Sequence, residues 1–459
     1  MSDYPVLNWS EAGEEKSARW RSESGTQPPK RVAIADDRMK ADDAYRLACE
    51  GTALLWRGDF QNARQLLHAM ARRCDEKPRK SKKTPATSNG QDTSPLQGHT
   101  RFPLPLAGRA KRGGQSRANE SLREPNLNGH SDVATPYKQS RYARFPLPNP
   151  PPLGEGTNES LREPNLKEAF HLHRQAQSQR ARTLGMLLIP FNADHTIPLR
   201  RAPDVQQACT DAYSTASEPY VASLRGLQGL IGAYEWRKNG VEIPALGARI
   251  HPHYGVFAPI RGEYVGLVAD APLPKLIATR SVAFDIGTGT GVLAAVLARR
   301  GIKHITATDQ DPRALACARE NLKKLGLSAQ VAVVQADLFP EGRAALIVCN
   351  PPWVPARPSS PLEHAVFDPD SRMLLGFLNG LAAHLEADGE GWLILSDLAE
   401  HLGLRNRAEL LAAIDAAGLK VLGKMDVKPH HPRVSDSSDP LHAARAAELT
   451  SLWQLAAKT

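Results

Sequence analysis

The apolar run at 282–286 leads straight into Gly287-Thr288-Gly289-Thr290-Gly291, and no other stretch constrains the fold as tightly. Alternate glycines accept backbone dihedrals that a Cβ forbids, so the main chain there can approach a ligand closely. The helical pattern that follows aims its unpaired amide groups at the same place. Further apolar runs fall at 304–308, 331–334, 345–348 and 392–395, with a weaker pair at 420–427 and 449–455. Helical stretches at 291–300, 312–325, 372–386 and 406–417 separate most of them. One is clearly bounded: Asp311 is placed to cap it, Pro312 to open it and Gly326 to follow its last turn. This alternation predicts an α/β domain over 281–459 with a doubly wound, mostly parallel sheet of seven strands. Such sheets bind ligands beyond the carboxyl ends of their strands, so the residues that end each run are the candidates.

The second run ends in Asp309, 22 positions after Gly287, where a carboxylate can accept bonds from both hydroxyls of a ribose. The third leads into Asp337. A dinucleotide fingerprint, G-x-G-x-x-G, would put its last glycine where Val292 stands. The order Asp285-x-Gly287-x-Gly289-x-Gly291 instead resembles motif I of the class I S-adenosylmethionine-dependent methyltransferases. The resemblance implies a Rossmann-like fold and S-adenosylmethionine as methyl donor. It implies that Asp285, Gly287, Thr288, Gly289 and Gly291 form the donor loop, that Asp309 meets the ribose and that Asp337 lies at the adenine.

The fourth run delivers Asn350-Pro351-Pro352-Trp353. A planar amide or ring amine is a poor nucleophile because its lone pair is conjugated. Two acceptors bonding both amine hydrogens from one side bias the nitrogen toward tetrahedral geometry. Asn350 offers a side-chain carbonyl and Pro351 a backbone carbonyl; Pro352 stiffens the loop, and Trp353 presents a flat face for a planar acceptor. The motif resembles that of amino-methyltransferases acting on adenine, on base amines in RNA and on protein glutamine. Upstream, Gly232 to Trp236 and Phe257 to Val268, including Pro259 and Arg261, are similar to the lead-in of the HemK-type protein-glutamine methyltransferases and the methyltransferase small domain group. That likeness implies that Pro259 and Arg261 lie beside the methionine end of the donor, and that the partner is a protein such as a translation component. An amine of RNA or DNA is the alternative acceptor. An idle donor-binding or interaction protein is a third reading, which would not need two aligned carbonyls.

The rest of the chain bears on partners. The net charge of +9 invites a nucleic-acid reading, but residues 77–166 hold 15 Lys/Arg against 7 Asp/Glu, while 281–459 hold 18 against 20. The basicity thus sits outside the domain that carries the motifs, in a tract without interleaved aromatics. That tract has 13 of the 36 prolines and two imperfect copies of one text, Asn119 to Leu127 and Asn158 to Leu166, too few to stack as a solenoid. It is expected to be a disordered insertion over 91–165, between the halves (35–90 and 166–225) of a helical N-terminal domain, with a disordered tail over 1–34. Within that domain, Leu47, Leu54 and Leu55 mark one amphipathic helix, and Ala63, Leu66, Leu67 and Met70 a second beyond Gly58-Asp59. Residues 226–280 are expected to form a β linker, with a strand, a turn at Asn239-Gly240 and a second strand. Five scattered cysteines suit a reducing cytoplasm and no structural metal. His251 and His253 are followed by no further ligands at a metal-site spacing. No apolar stretch long enough for a membrane span or a secretory leader is present.

Overall fold

The computed structural model describes residues 4–22, 25–75, 165–358, 361–430 and 436–458. All of the expected insertion but Asn165, and nearly all of the basic tract, lie outside them.

The first half is built on a sheet, which corrects the helical expectation. Strands β1 (Val6–Glu11) and β2 (Glu14–Arg21) form a hairpin where a tail was expected. Its two-residue turn, Ala12-Gly13, has φ of 55° and 84°, the left-handed pair that suits the twist of a hairpin. Leu7 and Trp9 point inward while their neighbours are exposed, so the alternation was present in a stretch otherwise too polar to suggest order. Then follow β3 (Arg31–Ala35), α1 (Ala41–Cys49), β4 (Thr52–Trp56), α2 (Phe60–Asp75), α3 (Leu166–Leu184), β5 (Leu187–Phe191), α4 (Gln206–Tyr213), β6 (Tyr220–Ser223) and α5 (Leu224–Asn239). The strand order is β1-β2-β6-β5-β4-β3, with β3, β4 and β5 parallel.

β4 replaces part of an expected helix. Leu54 and Leu55, read there as one helical face, point to opposite sides of the sheet and join separate apolar clusters, both fully buried. A strand covered on both faces shows no alternation, so period alone cannot separate it from a helix. Burial of each such leucine contributes about 2 kcal/mol.

The lead-in also differs from expectation. Asn239 ends a helix instead of a strand: the Ser223 side chain caps α5, and Gly240 with φ 69° closes it. Asn-Gly serves as a helix stop as readily as a hairpin turn. The short hairpin that follows pairs β7 (Val241–Ile243) with β8 (Ala248–Ile250), ahead of α6 (Glu263–Asp270).

The last part agrees closely with the alternation in the sequence. It runs β9 (Val282–Ile286), α7 (Val292–Arg299), β10 (His304–Asp309), α8 (Pro312–Lys324), β11 (Val331–Gln335) and β12 (Ala344–Cys349). It continues with α9 (Arg372–His384), β13 (Leu385–Ser396), α10 (Leu398–His401), α11 (Arg407–Ala416), β14 (Leu419–Val427), α12 (His442–Ala447) and β15 (Thr450–Ala457). The seven strands lie in the order β11-β10-β9-β12-β13-β15-β14, with only β15 antiparallel to its neighbours. From β9 the chain first builds outward through β10 and β11, then returns to build β12 and β13 on the other side. The crevice between β9 and β12 is therefore the switch point at which a doubly wound sheet takes its ligand. Among the described residues no helix is long and apolar enough to cross a membrane.

Candidate active site at the switch point

Strand register places the motifs side by side. Ile286 pairs with Thr308 on one flank and Cys349 on the other, so Asp309, Gly287 and Asn350 are the first residues past three adjacent strand positions. Neighbouring strands lie about 4.8 Å apart, which sets the spacing of these residues across the crest. Asp309 pairs in turn with Gln335, two residues before Asp337.

Gly287, Gly289 and Gly291 have φ of 70°, 54° and 81°. A Cβ on Gly287 would overlap the Met373 Cε of α9, whereas one on Gly289 would meet nothing within 4 Å. The loop is braced from below and open at its middle glycine. Asp285 does the bracing. Its Oδ2 accepts from Thr288 Oγ1 at 2.6 Å and from the Ala294 amide at 3.0 Å, tying the loop to the first turn of α7. Burial raises its carboxyl to about 6. Asp285 and Thr288, both buried, therefore act on the loop itself.

The Asp309 carboxylate accepts from the Gly289 amide at 3.0 Å through Oδ2 and from the Asp311 amide at 3.0 Å through Oδ1. These bonds hold it against the glycine loop, and burial raises its pKa. Asp337 is exposed and accepts from Gln310 Nε2 at 2.5 Å, with the Arg372 guanidinium 3.5 Å away.

On the other flank, Pro351 is buried and Asn350 half-buried. The Trp353 indole N–H donates to Asn350 Oδ1 at 2.9 Å, a bond the sequence reading did not include. The motif W in place of F or Y was the available signal, since indole alone among these rings carries an N–H donor. Pro259 is buried. Arg261, placed by resemblance at the methionine end, donates to Glu448 Oε1 at 3.2 Å, with its guanidinium carbon 5.7 Å from the Trp353 ring centre. Glu448 is 1% exposed and also accepts from Ser396 Oγ at 2.7 Å. It arrives from the far end of the chain, and no spacing in the sequence pointed to it.

The loop after the motif is closed by a bridge between Val354 and Phe367, and Asp368 then caps α9. His251 and His253 serve structure. His251 Nδ1 bonds the Arg237 carbonyl at 2.7 Å, and His253 Nε2 bonds Glu320 at 2.7 Å. No group of three or more potential metal ligands occurs among the described residues. Cys349 is buried, and burial raises its thiol pKa well above the ordinary value, which makes it a packing residue.

Residues 249–401 match the family described as methyltransferase small domain. The chain is 41% identical over 80 residues to ribosomal protein L11 methyltransferase of Pelotomaculum thermopropionicum, covering 17% of this chain and 26% of that protein. It is 33% identical over 174 residues to release factor glutamine methyltransferase of Cereibacter sphaeroides, covering 35% and 58%. The chain thus spans between about a quarter and somewhat over half the length of these curated relatives. Among solved structures it is similar to a ribosomal protein L11 methylase from Lactobacillus delbrueckii subsp. bulgaricus, at 19% identity and a TM-score of 0.29, covering 43% of this chain and 79% of that one. In its C-terminal part the chain resembles the class I S-adenosylmethionine-dependent methyltransferases, the HemK type among them.

Proposed function

We propose that this chain transfers the methyl group of S-adenosylmethionine to the nitrogen of a planar amide or amine, with the glutamine side chain of a protein as the leading acceptor. The observation that carries the proposal is the position of Asn350 and Pro351, one strand away from the glycine loop at the switch point. Two carbonyl acceptors at adjacent positions suit the two hydrogens of an NH2 group.

The donor brings an electrophilic methyl on a sulfonium, and the chain supplies the rest. The glycine loop leaves open space at Gly289, as a nucleoside cradle requires. Asp309 and Asp337 are assigned to the ribose and adenine ends, and Pro259 and Arg261 to the neighbourhood of the methionine end. Asn350 Oδ1 and the Pro351 carbonyl accept the two N–H groups of the acceptor, Trp353 stacks on its plane, and Pro352 keeps the loop stiff. Transfer then leaves a positively charged nitrogen that is acidic enough to lose its proton to water, so the site needs no strong base.

Glutamine is favoured by the likeness to a release factor glutamine methyltransferase and by the net negative charge of 281–459. A base amine in RNA or DNA presents the same planar NH2. The deciding experiment transfers tritiated methyl from the donor into a cell lysate and then digests with protease or nuclease. Label released by protease supports the glutamine reading; label released by nuclease replaces it with a base amine. Asn350→Ala should lower transfer about 10²–10³-fold while leaving donor affinity in calorimetry nearly unchanged. A wild-type rate in that variant would remove the proposed chemistry.

A further inference from the structure

We propose that Trp353 is the positioning residue for Asn350, acting through its indole N–H, and that Arg261 and Glu448 hold Trp353 in place; the proposal rests on the amide-methylation reading above. A side-chain amide has two ends of nearly the same shape, and only the carbonyl end can accept an N–H from the acceptor. Shape alone does not choose between them. A donor-only neighbour does, because the indole N–H can pair only with Oδ1. Its 2.9 Å bond uses one lone pair of that oxygen and leaves the second for the acceptor amine, with the Asn350 NH2 directed elsewhere. Phenylalanine at the same position could stack on an acceptor but could not select the amide orientation.

Trp353 is itself held by contacts that start far away in sequence. Ser396 at the end of β13 donates to Glu448, Glu448 binds Arg261, and the Arg261 cation lies within attractive range of the indole ring. The same indole packs against the apolar cluster that includes Val354, Phe170 of α3 and Leu441. A buried carboxylate that holds a cation against an aromatic ring serves a purpose if that ring must not drift. A misplacement of about 1 Å near the reacting atoms can cost about a hundredfold in rate.

Two measurements on the full chain test this. In the nitrogen–proton spectrum of the protein, the Trp353 indole resonance, identified by its loss in Trp353→Phe, should move when Asn350 is changed to alanine. Trp353→Phe should also lower tritiated methyl transfer into the lysate fraction that the wild type labels, by about ten- to a hundredfold. Its affinity for S-adenosylhomocysteine should stay within about twofold, since the donor loop is untouched. Transfer at the wild-type rate in Trp353→Phe, or an indole resonance indifferent to Asn350→Ala, overturns the proposal. If the wild type labels neither fraction, the methylation reading itself has failed, and the resonance still decides whether the bond exists. Should Trp353→Phe fold poorly, loss of the resonance in Trp353→Tyr identifies it instead.

Discussion

Asp285 is 1% exposed at the end of β9, and burial raises its carboxyl from the ordinary 3.8 to about 6. The unfolded chain ionises this group first, so its contribution to stability is intact below about pH 4 and is lost as the pH rises through about 6. The loss is on the order of 3 kcal/mol, at about 1.4 kcal/mol for each tenfold change in acidity. Asp285→Asn keeps a carbonyl for Thr288 and Ala294 and removes the titration. Urea unfolding at about pH 4 and about pH 7 should therefore show a smaller difference for the variant than for the wild type. An equal difference would show that Asp285 is not the buried acid. At this scale positions were legible in the sequence and partners were not. Asp285, Asp309 and Asn350 stand at the ends of adjacent strands, where the sequence placed them, because glycine spacing and strand ends are local. That Asp285 bonds Thr288, Asp309 bonds Gly289 and Trp353 bonds Asn350 was not legible, because a hydrogen bond needs a rotamer as well as a position.

Among the elements, α9 depends on an acid that lies outside it. Both carboxylate oxygens of Asp368 accept from the Met373 amide, at 3.1 and 3.0 Å, and one also takes the Leu374 amide at 3.1 Å. The chain reaches this geometry by turning through two left-handed residues, Asp370 and Ser371, with φ of 56° and 53°. The cap is 6% exposed, so water cannot replace it. Asp368→Ala should cost about 1–2 kcal/mol, read as a lower melting temperature, while Asp368→Asn should recover part of the loss. Equal melting of all three would show that the cap is redundant. The helix was legible from its period. β4 was not legible: two adjacent leucines, buried on opposite faces, look the same as a helix stripe until the neighbouring strands are known.

At the scale of the whole molecule, α5 and the hairpin region are tied to α8 through charge. Arg237 reaches Asp211 at 2.9 Å and Glu320 at 3.1 Å, while Glu320 also meets His253 at 2.7 Å and Lys324 at 2.9 Å. Burial works against the Glu320 charge, yet the bonds from Lys324 and His253 win and bring its pKa down to about 2. Burial also lowers the His253 pKa. Arg237 is only 26% exposed, so Arg237→Ala leaves carboxylates short of a partner and should cost about 1–3 kcal/mol in chemical denaturation. Arg38→Ala is the control, because that arginine pairs with Asp36 while 90% exposed, and its melting should not move. Equal shifts in the two variants would show that the cluster carries no special weight.

By itself, the sequence determined the alternation of the last 180 or so residues, the glycine loop and the order of the residues that end each strand. Each of these is written in a few consecutive positions, where period and backbone freedom act directly. Only the tertiary structure decided that the first half is a six-stranded sheet, that Arg261 bonds Glu448 and that the Trp353 indole bonds Asn350. Those outcomes depend on which buried faces and polar groups meet across long stretches of chain, and that choice is made by packing and desolvation, which no local pattern records.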